Sequence, residues 1–268
     1  MCFIMKYIDL SIPVANDLKC DPGNGGPRIE YFNHEQGALG MMNYFPKLKR
    51  EDLPDGKGWA VETITLGTHH GTHMDAPYHY SPTQDREIGE KKSLTIDQIP
   101  LEWCVGPLVV LDCTDKEDGY VMQPEDLDEK LVAIGHKIRK GDIVCIHTTA
   151  PDYFGTSKYV DHGVGVGKQG TLHLVRQGVH IVGTDSWSWD APFSITASKW
   201  KKAHEEGNPD KNIIWEGHFA GIDLGYCQIE KMANLDKVPT IGATIYCFPI
   251  KIDAASGGWV RAVATLPD

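Results

Sequence analysis

The stretch Leu66–Tyr80, LGTHHGTHMDAPYHY, constrains this chain more than any other. It holds four of the twelve histidines together with an aspartate. Taking every second residue from His69 gives His69, Gly71, His73, Asp75, Pro77 and His79. An extended backbone would therefore turn three imidazoles and a carboxylate to one side. Neutral imidazole and carboxylate are ligands that Zn²⁺, Mn²⁺ and Fe²⁺ accept. Gly71 loosens the backbone and Pro77 removes an amide donor, which argues against a helix. The ligands then belong at the end of a strand or in the turn after it. A lone histidine is ordinarily a surface or hydrogen-bonded core residue, but the clustering and the alternating phase point to a metal site.

The remaining composition narrows the class. Of 268 residues, 41% are hydrophobic and 24% charged, as in ordinary globular chains. The formal net charge is -11, and Lys199–Lys202 is the only notable basic cluster, which disfavours nucleic acid and anionic membrane as partners. Seven cysteines make an odd count with no CxxC spacing. They are expected to be small buried hydrophobes in a reducing compartment. The start, MCFIMKYIDLSIPV, lacks a basic leader and a small-residue cleavage site. No stretch approaches the length that spans a bilayer. A cytoplasmic protein is expected, with Met5 as an alternative start.

Alternating or continuous apolar runs predict strands over Lys6–Val14, Trp59–Leu66, Pro107–Asp112, Asp142–Thr148, Val179–Gly183, Thr240–Ile252 and Trp259–Leu266. Helices are predicted over Pro124–Ile134, Thr171–Gln177, Ala197–Glu206 and Ile222–Leu235. Asp21–Arg28 is dense in turn formers. Asn16–Gly58 suits a lid over substrate and a solvated connection equally. Trp187 and Trp189 suit a wall for a planar ligand, or else core or subunit packing, and His147 reads as a core histidine. Strands outnumber helices, and neither a repeat nor a linker divides the chain. A single mixed α/β domain over residues 1–268 is expected.

The run His69-x-Gly71-Thr72-His73-x-Asp75-x-Pro77-x-His79 resembles the HxGTHxDxPxH signature of the cyclase family of metal-dependent hydrolases, and every fixed position is matched. That family includes bacterial kynurenine formamidases and isatin hydrolases. Similar matches run through KYIDLSIPV, GPLVVLD, KGDIVCIHT and VGTDSWSWD. The resemblance implies a swivelling β/β/α fold with a mixed sheet, assembled as a homodimer or homotetramer. It implies that His69, His73 and Asp75 hold a first ion. His218 and, twelve residues later, Glu230 would complete a second position, with Asp75 as the bridge. One or two Zn or Mn ions per subunit would then activate water, and His79 would move the proton. The implied reaction is hydrolysis of a C–N bond in an isatin-like cyclic amide or an arylformamide. A lactone is the alternative substrate. The chain is longer than the compact kynurenine formamidases, mostly through Asn16–Gly58 and Ser194–Asn212.

The same residues admit two other readings. His73-Met74-Asp75 is also an HxD pair, as in iron(II) oxygenases. Those need a basic residue about ten positions after a distant histidine, whereas Ser157 and Gln228 follow His147 and His218. A non-catalytic binding module stapled by metal would fill its site with protein ligands and prefer cysteine. No cysteine lies near this cluster.

Overall fold

The computed structural model describes residues 5–16, 18–21 and 26–267. Its central strands come from the most apolar runs. Among the described residues nine strands form one mixed sheet: β1 (Met5–Asp9), β2 (His73–Asp75), β3 (Val105–Asp112), β4 (Ile143–His147), β5 (Ile181–Thr184), β6 (Cys227–Glu230), β7 (Ala243–Tyr246), β8 (Gly257–Trp259) and β9 (Val263–Pro267). Their order is β1-β9-β7-β3-β4-β5-β6-β2-β8. The four strands from β3 to β6 run parallel, and the pairs on either side are antiparallel.

A parallel strand covered on both faces has no polar side. In β3 alternate residues accordingly enter different cores. Leu108 and Val110 pack with Met74, Cys145, Ile229 and Ile245. Val109 and Leu111 pack with Val144, Ile146 and Val182. Helix α1 (Pro77–Tyr80) follows β2, and α2 (Pro124–Ala133) and α3 (Lys168–Arg176) add Leu127, Leu131, Leu172 and Leu174 to the second core. Helices α4 (Phe193–Glu205) and α5 (Glu216–Asp223) come between β5 and β6. None of the described helices is long and apolar enough to cross a membrane.

Two compact units are distinguished by their internal packing. Of the described residues, the larger contains the sheet and residues 5–13, 19–21 and 68–267; the smaller contains residues 14–16, 18 and 26–67. Within the smaller unit Arg28–Phe32 pairs antiparallel with Val61–Thr65. A helix over His34–Tyr44 begins at Asn33, whose side chain and that of Gln36 form a reciprocal cap. Gly37 and Gly40 had masked this helix by diluting its apolar stripe.

Two expectations are corrected. Ile222–Leu235 is not a helix, because α5 ends at Asp223 and Cys227–Glu230 is an inner strand bonded on both sides. All four of its residues are buried, so the helical spacing of Ile222 and Ile229 was a coincidence of two elements. Pro77–Tyr80 is one turn of helix, for Pro77 stands at its start, where no amide donor is required. The six described cysteines are buried free thiols, in line with their reading as small hydrophobes.

Candidate metal centre

Strand β2 carries His73 and Asp75 on one face, between β6 and β8. Glu230 is the register partner of His73, and Gln228 that of Asp75. On the other side Gly257 stands opposite Asp75. A Cβ at Gly257 would lie 2.7 Å from the His69 ring, so only glycine lets that imidazole close over the strand. His69 arrives from the turn before β2, where Gly71 adopts a φ of +64°.

The ligand atoms of His69, His73 and Asp75 all lie within 4.8 Å of one another. His69 Nδ1 is 2.6 Å and His73 Nε2 3.2 Å from Asp75 Oδ1. His73 Nδ1 donates to the carbonyl of Gly71 at 2.9 Å, which leaves Nε2 as the bare nitrogen. That Nε2 is buried with no hydrogen-bond partner. A buried polar atom without a partner is costly, and here it faces a fully buried carboxylate. Burial opposes ionisation of Asp75, but the imidazoles of His73, His218 and His69 hold its carboxyl well below the usual range. Burial and then the Asp75 charge push Glu230 upward. Two imidazoles, one of them with an orphaned nitrogen, and a carboxylate fit a divalent cation.

His79 stands on α1 with Nε2 4.0 Å from Asp75 Oδ2. Burial pushes it from 6.5 to about 4, against the pull of Asp75. Asp75, His79 and His218 make a second group with ligand atoms within 4.8 Å. Asp190 receives His218 Nδ1 at 2.5 Å, aiming Nε2 inward at 3.6 Å from Asp75 and 3.5 Å from Glu230.

Sequence reasoning missed the residue between these groups. The Gln228 amide nitrogen donates to Asp75 Oδ2 at 3.0 Å and to Glu230 Oε1 at 2.9 Å, and it lies 2.6 Å from His218 Nε2. Its two protons thus have two carboxylate acceptors. Turning the amide over would aim its oxygen at two carboxylates. Gln228 lies two residues before Glu230, so the period of a strand, had this segment been read as one, would have placed both on one face.

Two further supports were not foreseen. The buried Lys231 ammonium pairs with Asp21 and donates to the His69 carbonyl at 2.8 Å, while Asp21 Oδ2 accepts from the Gly71 amide at 3.2 Å. The indole of Trp215 stacks on His218 at 4.1 Å and meets His79 edge-on at 5.1 Å. Of the two tryptophans singled out, Trp189 is fully buried and donates its backbone N–H to Glu230 at 2.9 Å. Trp187 packs against Phe193 with the Lys231 ammonium 5.7 Å from its ring centre. His147 pairs with Asp185 at 2.5 Å, apart from this cluster.

The model of the cyclase family matches residues 8–191, more than half of the chain. The chain belongs to the cyclase family. An isatin hydrolase of Roseibium aggregatum is 26% identical over 222 residues, 80% of this chain and 77% of that protein. A kynurenine formamidase of Salinibacter ruber is 25% identical over 202 residues, 75% and 77% of the two chains. A crystal structure of an isatin hydrolase bound to the product analogue thioisatinate superposes with a TM-score of 0.72 at 19% identity, covering 98% of this chain and 93% of that one. That likeness shows a shared cyclase fold, as the sequence signature implied. The named relatives are hydrolases, and this cyclase-family chain is a hydrolase with a histidine and aspartate cluster able to hold metal.

Proposed function

We propose that this chain hydrolyses the C–N bond of an amide or cyclic amide, of the isatin or arylformamide type, at a single divalent ion held by His69, His73 and Asp75. The observation that carries this reading is the bare, buried His73 Nε2 between His69 and Asp75. The substrates named for the isatin hydrolase and kynurenine formamidase relatives support the bond type.

A divalent ion held by His69, His73 and Asp75, Zn or Mn, would lower the pKa of water from about 15.7 toward 7 and would polarise a carbonyl. The protein groups do the rest. Burial favours the neutral His79 imidazole, and the Asp75 charge beside it favours the imidazolium once Nε2 has taken a proton, which it then returns to the leaving nitrogen. His218 Nδ1 donates to Asp190, which aims Nε2 at the reacting region. Trp215 covers His218 and His79 and limits the access of bulk water. The Gln228 amide, lying among Asp75, His218 and Glu230, supports one ion rather than two.

The test is product analysis with metal-loaded protein on isatin, N-formylkynurenine and simple lactones. A new carboxylate from isatin, or formate from the arylformamide, is expected. Opening of lactones alone would replace the C–N assignment with C–O cleavage.

A further inference from the structure

The segment from His69 to Thr72 carries one proposed ligand and the backbone that orients the other, and it is held from several sides. Lys231, the residue after β6, donates its ammonium to the His69 carbonyl at 2.8 Å and pairs with Asp21. Asp21 Oδ2 accepts the Gly71 amide at 3.2 Å. The Lys231 carbonyl accepts the Thr72 hydroxyl at 2.6 Å, and Thr72 Oγ1 in turn accepts the Ile12 amide at 2.9 Å. One lysine thus grips both ends of the segment, and Asp21 fixes the amide between them.

The backbone of Lys231 has a φ of +56°, in the left-handed region that a long side chain rarely adopts. Such a conformation persists where the surroundings over-determine it. Here ammonium and carbonyl are both engaged, and the Lys231 amide donates to the Ser186 carbonyl at 3.0 Å. A buried ion pair is by itself a poor stabiliser, since apolar side chains of equal volume often hold a fold as well. Apolar side chains cannot bind a carbonyl and an amide, and this pair binds one of each.

The hold reaches both imidazoles. Gly71 donates its amide to Asp21 and accepts His73 Nδ1 on its carbonyl at 2.9 Å, so the residue that Asp21 fixes also turns His73 Nε2 inward. His69 is fixed at its carbonyl by Lys231, and its ring Nε2 lies 2.9 Å from the Ser256 hydroxyl, which sets Nδ1 against Asp75.

We propose that Lys231 and Asp21 are positioning residues for the metal centre: their clamp on His69–Thr72 presents His69 Nδ1 and His73 Nε2 to the ion together, and ion affinity depends on it. This rests on the metal-hydrolase reading above and adds the residues that set its affinity. Without the clamp, the ion itself must order the turn around Gly71, and binding weakens by that ordering.

The test is Co²⁺ binding to chelated protein by calorimetry, with the visible absorption of the Co²⁺ protein reporting its ligands. Wild type is compared with Lys231→Met, with Asp21→Asn, which keeps the shape but removes the charge and one acceptor oxygen, and with Leu131→Ala, which loosens the second core in α2. Wild type and Leu131→Ala should share one affinity and one spectrum. Lys231→Met should weaken Co²⁺ about 10- to 100-fold, the range for residues that orient metal ligands, and change the spectrum. Asp21→Asn should act in the same direction by a smaller factor, and it decides the matter where Lys231→Met does not fold. Wild-type affinity and spectrum in these clamp variants would overturn the proposal. So would a Leu131→Ala protein weakened as much as Lys231→Met, since affinity would then follow general stability. Either result, with isatin or an arylformamide still hydrolysed by the wild type, leaves the hydrolase reading standing. Weakened Co²⁺ binding in Lys231→Met, with no amide hydrolysed by the wild type, would retain the clamp and refute the hydrolase reading.

Discussion

The Gln228 amide nitrogen lies 3.0 Å from Asp75 Oδ2, and the two residues are direct register partners on antiparallel strands. The amide thereby sits where a second cation would have to meet Asp75, His218 and Glu230. Wild-type protein should bind about one divalent ion per chain. Gln228→Ala should open the position between the two carboxylates and bind a second. Elemental analysis after dialysis checks both numbers, and two ions in the wild type would contradict the role given to Gln228.

Replacement of ligands and of the proton carrier should separate in kind. His73→Ala and Asp75→Ala should lose metal and turnover together. His79→Ala should retain metal and lower kcat about 10²- to 10⁴-fold, the range for removal of a general acid or base. Normal turnover by a metal-loaded His79→Ala protein would remove His79 from the reaction.

Lys231 is the only described lysine among the buried polar residues, at 2% exposure, and its ammonium is paired with the buried Asp21 carboxylate. Removing one partner strands the other charge, at a cost on the order of 3–5 kcal/mol. Lys231→Met should therefore lower stability by about that much, and Lys231→Met with Asp21→Leu should recover part of the loss. Denaturant titration of the three proteins reads the difference. A double variant no more stable than the single one would show that the pair does not act as a unit.

The His147–Asp185 pair gives a pH dependence away from the metal centre. The hydrogen bond to Asp185 raises His147 above its ordinary 6.5, with burial opposing. A histidine that holds its proton more tightly when folded contributes that stability below its unfolded value. The contribution is lost as pH rises through the folded value. His147→Gln should consequently destabilise the protein more at about pH 5.5 than at about pH 9. Equal shifts of the denaturation midpoint at both would contradict the linkage.

The inner strands and the clustering of His69, His73 and Asp75 were legible because they depend on local pattern. The apolar runs at Val105–Asp112 and Ile143–His147 are too short and too continuous for anything but buried strands. The alternation of His73 and Asp75 was likewise sufficient to put them on one face. Glu230 could be paired with His218 only through the family resemblance, since its partner strand lies some 155 positions earlier in the chain. Its local sequence imitated a helix because Ile222 belongs to α5 and Ile229 to β6. The two-residue spacing of Gln228 and Glu230 was hidden once their segment read as a helix, while Asp21 and Trp215 gave no local signal, for an aspartate in a turn and an exposed-looking tryptophan acquire their roles only through distant contacts.

The most direct test of the central claim is a metal titration of chelated protein, with bound ion and rate of isatin and arylformamide hydrolysis read on the same samples. Hydrolysis should rise in proportion to the ion bound and level off at about one equivalent per chain, with His73→Ala flat throughout. Full hydrolysis in the chelated protein, or unaltered ion uptake by His73→Ala, would contradict the account.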